Sequence, residues 1–374
     1  MKLAIDGDFE LAQRKLSAAL KARKPSLDWY TDRWYPFCLI LSKSEIRKLR
    51  EIQELIYQAF SAIVPRYLHD PHLKERIPMS PWVREIFARL DGTPYHPGAL
   101  RPDVLIGQDG SFQVCEINAR FPLNGFFISL YAQEILDAVR PQYRPPGSLA
   151  RLRSELLGEP ITIVKSEERG YDLFLLRNEL KEQGHLCRLM SPDEFLKDSS
   201  SQKVMLELHL HELQQVPLEF LLDFHRNRRY FNDLRTVILG HDKRLLSVLS
   251  DRELLSEYLP AKQAHRLADQ VVPTFTVTRP PTIQSPSWIL KPAHRGKGEG
   301  VVVSSRQTLL LDSVTQPEVK QKIFSLHDGS QVRMVGLLPM WNGSFYGPGI
   351  FRAGPGPIVN LSDGGLLVAS GGSP

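Results

Sequence analysis

An α+β fold is what this sequence predicts, helical at first and rich in antiparallel strands later. Three observations carry the prediction. From Ser42 to about Tyr67 the apolar residues Ile46, Leu49, Ile52, Leu55, Ile56, Phe60 and Ile63 recur with helical period, with charge on the other face. Between 101 and 118 the period changes, and two apolar runs flank Asp109-Gly110, a strong hairpin signal. From 160 to 190 strand, helix and strand follow one another, the grammar of a small parallel sheet.

The elements follow in order. Ser80-Pro81 supplies an N-cap and then proline at the first helical position, opening a short helix to about Leu90. Residues 104–106 and 112–117 are the hairpin strands, and a helix is expected from about Phe126 to Val139. Residues 141–148 read as a turn-rich linker. Residues 161–164 form a strand, 171–183 a helix stopped by Gly184, and 186–190 a second strand. Ser-Ser-Ser-Gln at 199–202 reads as a loop. A helical stretch with Lys243 near its start runs to about Leu259. Strands are expected near 271–277 and 287–291, then a glycine-rich turn, then a strand at 301–303. The remaining C-terminal part reads as antiparallel strands with glycine turns, and the final Ser-Gly-Gly-Ser-Pro as a flexible end.

Bulk properties narrow the function classes. The chain has 374 residues, enough for one large domain with insertions or two to three smaller ones. Its net charge of +5 suits an anionic ligand. No block of like charges marks a nucleic-acid tail, and His-Arg-Asn-Arg-Arg at 225–229 reads as a solvated face. Cys38, Cys115 and Cys187 are far apart and odd in number, which points to a reduced, intracellular compartment. The N-terminus lacks the apolar region of a signal peptide, and no apolar run approaches the ~18 residues of a membrane span. A cytoplasmic protein with neither nucleic-acid nor membrane partners is expected.

Two stretches carry chemistry. Lys291 lies on an expected strand that leads into a loop holding Gly296, Gly298 and Gly300. Glycines let backbone N–H groups approach a polyphosphate, and a lysine adds a point charge. The loop lies between strands, so it is neither a Walker loop nor a dinucleotide fingerprint. Alone it also suits a plain turn. The second stretch is the hairpin. Asp103 opens one strand, and Glu116 and Asn118 close the other. Residues two apart on a strand share a face, and adjacent strands bring Asp103 near them. Two carboxylates and an amide oxygen are hard ligands suited to Mg²⁺ under substrate phosphates. The competing reading is a surface ion pair of Asp103 or Glu116 with Arg101 or Arg120.

Arg-x-Asp followed by Glu-x-Asn, together with Lys-Pro and a Gly-x-Gly-x-Gly loop, resembles the ATP-grasp superfamily. Here the Glu-x-Asn precedes Lys291, the reverse of the common order. That order resembles the circularly permuted ATP-grasp ligases, typified by the synthetase domain of glutathionylspermidine synthase. The resemblance covers roughly 101–365 and implies ATP and Mg²⁺ as cofactors. It implies antiparallel sheets clamping ATP, with a mostly helical region at 1–100 and a metal-binding part of the core at 101–145. A small β-α-β subdomain would occupy 146–235, and the lid and the rest of the core 236–374.

Residue by residue, the resemblance implies Asp103, Glu116 and Asn118 as metal ligands, and Arg101 as the arginine that stabilises the transferred phosphoryl group. It implies Lys243 and Lys291 as ATP-contacting lysines, and the 321–324 stretch (Gln321, Lys322, Ile323) as the hinge that bonds adenine through its backbone. Arg352 matches a late phosphate-binding arginine, with Arg333 as the alternative. Asn-Leu-Ser-Asp-Gly-Gly at 360–365 resembles the family's asparagine-glycine ending. One departure is Arg120, standing where an acidic residue would be expected near the acceptor site.

The implied reaction is carboxylate activation. ATP phosphorylates a carboxylate, and an amine displaces phosphate to give an amide, ADP and phosphate. The expected partners are small molecules, an acid and an amine resembling an amino acid, peptide or polyamine, with a homodimer as the assembly. Two alternatives stand beside this ligase: an ATP-grasp phosphotransferase, and a non-catalytic nucleotide-binding protein. His209 and His211 read as one face of a half-exposed strand, or as a metal pair. His294, inside the glycine loop, reads as solvent-facing, or as a phosphate contact. Cys115 reads as buried packing, with no lysine near it in sequence.

Overall fold

The computed structural model describes the chain except residues 24–31, 122, 145–150, 152–153, 156, 168–169, 171, 199–201, 228–229, 297, 362–363 and 374. The linker at 145–148, most of the 199–202 loop, Lys297 of the glycine loop and Pro374 therefore lie outside the described residues.

An eight-stranded antiparallel sheet forms the centre. Its middle is the Ala99–Ile106 strand, flanked by Gln331–Leu337 and by Phe112–Asn118. Phe351–Gly354 and then Leu366–Val368 continue beyond Gln331–Leu337. The hairpin turn forms at Asp109-Gly110 as its sequence requires. Gly110 has φ +81°, and the Asp109 carboxylate accepts bonds from the Ser111 backbone N–H (2.9 Å) and hydroxyl (2.7 Å).

Behind the sheet lies the Lys43–Ile63 helix. Ser42 and Glu45 cap each other's backbone at its start, and Leu49, Ile52, Ile56 and Phe60 are buried with Val104, Val114, Ile117 and Met334 of the sheet. The Pro81–Arg89 helix opens on Ser80, whose hydroxyl accepts from the Val83 N–H. The Phe126–Val139 helix has the expected bounds. Its N-terminus takes no cap of its own. Asp172 supplies one from another element, accepting from the N–H groups of Gly125, Phe127 and Ile128.

The middle of the chain makes the expected small parallel sheet. Ile161–Lys165 lies between Cys187–Met190 and Lys203–Glu207. The Asp172–Glu182 helix crosses over, and Gly184 (φ +77°) follows it. Leu173, Leu176 and Leu180 of that helix share a core with Phe127 and Leu130. A separate three-stranded sheet, ordered Ser313–Pro317, Trp288–Pro292, Val302–Ser304, is antiparallel throughout. No described helix is long and apolar enough to cross a membrane.

Four expectations are corrected. The C-terminal Ser370–Gly372 segment is a strand, not a loose end. It pairs in parallel with Leu39–Leu41, and the buried Ser370 hydroxyl bonds to the carbonyls of Pro348 and Gly349. Residues 271–277 form no regular strand. They make isolated bridges at Val271 to Val114 and Phe275 to Thr315, because each end meets a different sheet. His209 and His211 are not on a strand. The strand stops at Glu207, and the Glu212 carboxylate accepts the His209 N–H (2.7 Å), starting the Leu210–Leu213 helical turn. Finally, His225 in the basic run is buried. It stacks on Tyr230 (4.3 Å) and pairs with Asp233 (3.1 Å) because the amphipathic Leu218–Arg226 helix turns that position inward.

Candidate active site

A β-bulge decides which way the carboxylates point. Strict alternation would put Phe112, Val114, Glu116 and Asn118 on one face. The register instead runs from Val104 opposite Val114 to Asp103 opposite Glu116, leaving Cys115 as the extra residue. Phe112, Val114 and Ile117 therefore stay in the core while Glu116 and Asn118 turn to the opposite face. Asn118 faces Arg101 across the ladder. Arg352 faces Val335, which faces Leu105, and Arg333 faces Gly354. Arg101, Asp103, Glu116, Asn118, Arg333 and Arg352 thus share one face.

On that face the charges interlock. Asp103 is 2% exposed. Its carboxylate accepts from Arg101 Nε (3.0 Å) and from Arg352 Nη2 (2.6 Å). Arg101 also donates to the Asn124 carbonyl, just before Gly125 and the Phe126–Val139 helix. The surface ion pair weighed above is therefore a buried one, and it holds a second arginine that the sequence places 249 positions away. Arg333 lies further along the face and donates to the Pro355 carbonyl, away from Asp103.

The bulge also makes the junction with the glycine loop. Outside the ladder, the Cys115 carbonyl accepts from Lys291 Nζ at 3.0 Å. Lys243 Nζ stands 3.1 Å from Glu116 Oε1 and donates to the carbonyl of Arg295 in the loop itself. Its own N–H bonds to the Ala293 carbonyl. The two distant motifs are thereby brought into contact. Burial by itself would raise the Glu116 carboxyl, but Lys243 and Lys291 outweigh it and hold that carboxyl below its ordinary range. Cys115 goes the other way. Burial pushes its thiol up to about 11 although Lys291, distant in sequence, is close in space.

The glycine loop turns through Gly298 (φ +76°) and Gly300 (φ +71°), backbone that other residues rarely adopt. A side chain at Gly298 would collide with Asn360, so the loop rests on Asn360 there. Gly296 has open space about its Cα. His294 is only one-third exposed, not solvent-facing. It lies 3.8 Å from Asp242 and 3.4 Å from Arg244.

The 321–323 stretch lies beside the turn end of the hairpin, where Gln321 bridges Gly107. The Lys322 N–H is taken by the Ile106 carbonyl (2.8 Å), so it is not free for a base. The Gln321 side chain donates to the Pro357 carbonyl (2.9 Å), and Ile323 is exposed. Glu167, His211 and Glu212 bring possible ligand atoms together elsewhere, but both Glu212 oxygens already accept backbone N–H groups.

Asp103, Glu116 and Asn118 offer three hard oxygen donors on adjacent positions of one face, a set that fits Mg²⁺. Around the two carboxylates stand four cations, Arg101, Arg352, Lys243 and Lys291, a surplus of two positive charges. That balance suits a bound polyanion. Sequence reading passed over Asp242 and Arg244, which grip each other through three side-chain bonds (3.1, 3.2 and 2.7 Å) on either side of Lys243 and fix its backbone. The Asp-x-Arg spacing was the available signal.

Comparison with known proteins agrees with the architecture. The chain belongs to the family described as the AnkG N-terminal domain, whose model matches residues 52–239. A curated relative, "ATP-grasp enzyme ankG" of Aspergillus thermomutatus, is 24% identical over 431 aligned positions, spanning 91% of this chain and 88% of that protein. Among solved structures, a glutathione synthetase-like effector from Globodera pallida in its apo form superposes with a TM-score of 0.57. The match covers 98% of both chains at 11% identity. The chain therefore has a mixed α+β fold of the glutathione synthetase-like kind.

Proposed function

We propose that this protein is an ATP-dependent ligase that joins a carboxylate to an amine through an acylphosphate, releasing ADP and phosphate. The observation that carries the reading is Lys243, whose ammonium links Glu116 (3.1 Å) to the glycine loop at Arg295. A ligand that lay between them would meet carboxylates on one side and loop amides on the other. The name of the AnkG relative and the fold of the effector support the same class. Carboxylates ahead of the glycine loop in the chain favour a permuted ATP-grasp layout, since Lys291 follows Cys115 by 176 positions.

Asp103, Glu116 and Asn118 are the residues to hold Mg²⁺, which when bound screens charge between the phosphates. Lys243 and Lys291 bind and orient the phosphate chain together with the loop amides. Arg101 and Arg352, both on Asp103, are placed to turn toward the γ-phosphoryl group and offset its charge during transfer. The acid attacks the γ-phosphorus and forms the acyl–phosphate bond as the bond to ADP breaks. The amine then attacks the acyl carbon, phosphate leaves, and the amine proton passes to solvent or phosphate. Positioning and charge neutralisation suffice for this, so the chemistry needs no protein nucleophile.

Hydroxylamine traps acylphosphates as hydroxamates without the natural amine. Purified protein with MgATP, hydroxylamine and a panel of carboxylic acids is expected to form hydroxamate and ADP in equal amounts. ADP with a phosphorylated hydroxyl compound would identify a phosphotransferase instead. Nucleotide binding with no turnover on any acid would count against catalysis.

A further inference from the structure

Arg120 follows the metal-ligand strand by two residues, and it is buried to 1% exposure. Its Nε and Nη2 have no hydrogen-bond partner among the described residues. Those two nitrogens form the side edge of the guanidinium, the fork that receives a carboxylate or phosphate through two parallel bonds. A buried arginine with that edge empty is built for a ligand or is a defect.

Its neighbourhood argues for a ligand. His241 is 2% exposed, and its Nδ1 also lacks a partner among the described residues. Burial first, then the charge of Arg120, holds this imidazole neutral. Phe121 packs edge-on against His241 (6.0 Å) and His209 (4.9 Å), giving the place an apolar wall that reaches the small subdomain. The carboxylate that acts on Arg120 is Asp242, itself held by Arg244, and not Asp103 or Glu116. Arg101 and Lys243 act on His241 as well, so the Arg120 edge borders the Arg101–Asp103–Arg352 centre.

We propose that the Nε–Nη2 edge of Arg120, with His241 beside it, binds an anionic group of the acid substrate other than the carboxylate that is activated. The acid then carries at least two negative charges. This rests on the ligase reading, and it makes Arg120 a specificity residue for that reaction. The shared chemistry is an oxyanion, so a nucleotide phosphate is the competing source.

The test uses the full chain with MgATP and hydroxylamine. Succinate, glutarate, L-aspartate and L-glutamate are compared with butyrate and valerate, and acid and MgADP binding are followed by calorimetry. At least one diacid is expected to be used about 100-fold better than its matched monoacid, because a single paired fork is worth that much when buried. Arg120→Gln should raise the KM for that diacid by a similar factor, leaving kcat, the KM for ATP and the affinity for MgADP within about threefold. Arg120→Lys, with charge but no fork, should recover part of the loss. Weaker MgADP binding in Arg120→Gln assigns the edge to the nucleotide and overturns the proposal. Equal use of monoacids and diacids overturns it and leaves the ligase standing. Diacid binding that depends on Arg120 with no hydroxamate keeps the pocket and overturns the ligase. No diacid bound at about 10 mM removes the pocket as well, since binding that weak is not recognition.

Discussion

Arg235 and Arg120 are hidden alike, 3% and 1% exposed, and their surroundings are opposite. Arg235 is saturated. It meets Asp233 through Nε (2.9 Å) and Nη2 (2.8 Å), and donates its other hydrogens to the carbonyls of Leu90, Thr93 and Pro94. His225 closes the far side of Asp233 at 3.1 Å. The fork of Arg120 meets no partner among the described residues. Burial, offset only by Asp242, lowers its guanidinium to about 10, whereas Asp233 overcomes burial and raises that of Arg235. A buried charge with every bond made holds elements together; a buried charge with bonds left open awaits a partner.

The strongest way to probe that contrast is at Glu116. Glu116→Gln keeps the size of the side chain and removes its charge. Hydroxamate formation is expected to fall by about 1,000-fold or more, while the protein stays folded. Retained activity would remove Glu116 from the site. Arg235→Ala tests the saturated end. It strands Asp233 and His225 in the core and is expected to cost about 3–5 kcal/mol in a urea titration. A loss under about 1 kcal/mol would mean that the knot is not structural.

Asp172 extends the comparison to pH. Among the described residues no cation bonds to it, and burial raises its carboxyl to about 6 against the opposing pull of the Gly125, Ile128 and Phe127 N–H groups and the charge of Arg101. Its folded value lies above the unfolded one, so the stabilisation is full below about pH 4 and is lost as pH rises through about 6. The shift of about two units corresponds to at most about 3 kcal/mol. Asp172→Asn should flatten the stability profile between those values, and an unchanged profile would show that Asp172 does not titrate there. Asp233 runs in the other direction. Its carboxyl is lowered, with burial outweighed by Arg235 and His225, so its contribution is lost as pH falls.

The smallest effect is the sharpest test of the opening contrast. Arg120→Met removes an unpaired buried charge and keeps an unbranched chain of similar reach. It is expected to leave stability unchanged or raise it by about 1 kcal/mol in the absence of ligand. A loss comparable to that of Arg235→Ala would show that Arg120, too, is structural.

Much of the local structure was legible. The Asp109-Gly110 turn, the Ser80 cap and the Phe126–Val139 helix stand where pattern and turn chemistry place them. The carboxylates, lysines and glycines of the site could be nominated by type. Their partners could not. Nothing near Asp103 in sequence announces Arg352, and nothing near Glu116 announces Lys243. The histidines misled because His209 and His211 alternate like strand residues, while Glu212 captures the His209 N–H and starts a helical turn. The C-terminal glycines misled because composition suggests looseness, while a distant strand supplies them with hydrogen bonds.

By itself the sequence determined the elements that near neighbours decide: turns that need glycine at positive φ, helices with one apolar stripe, and the chemical kinds of group at hand. Only the tertiary structure decided the bulge at Cys115, which turns Glu116 and Asn118 away from the core and frees a carbonyl for Lys291. The reason is physical. A bulge is chosen by how both faces of a strand pack, and those faces are built from segments far apart along the chain.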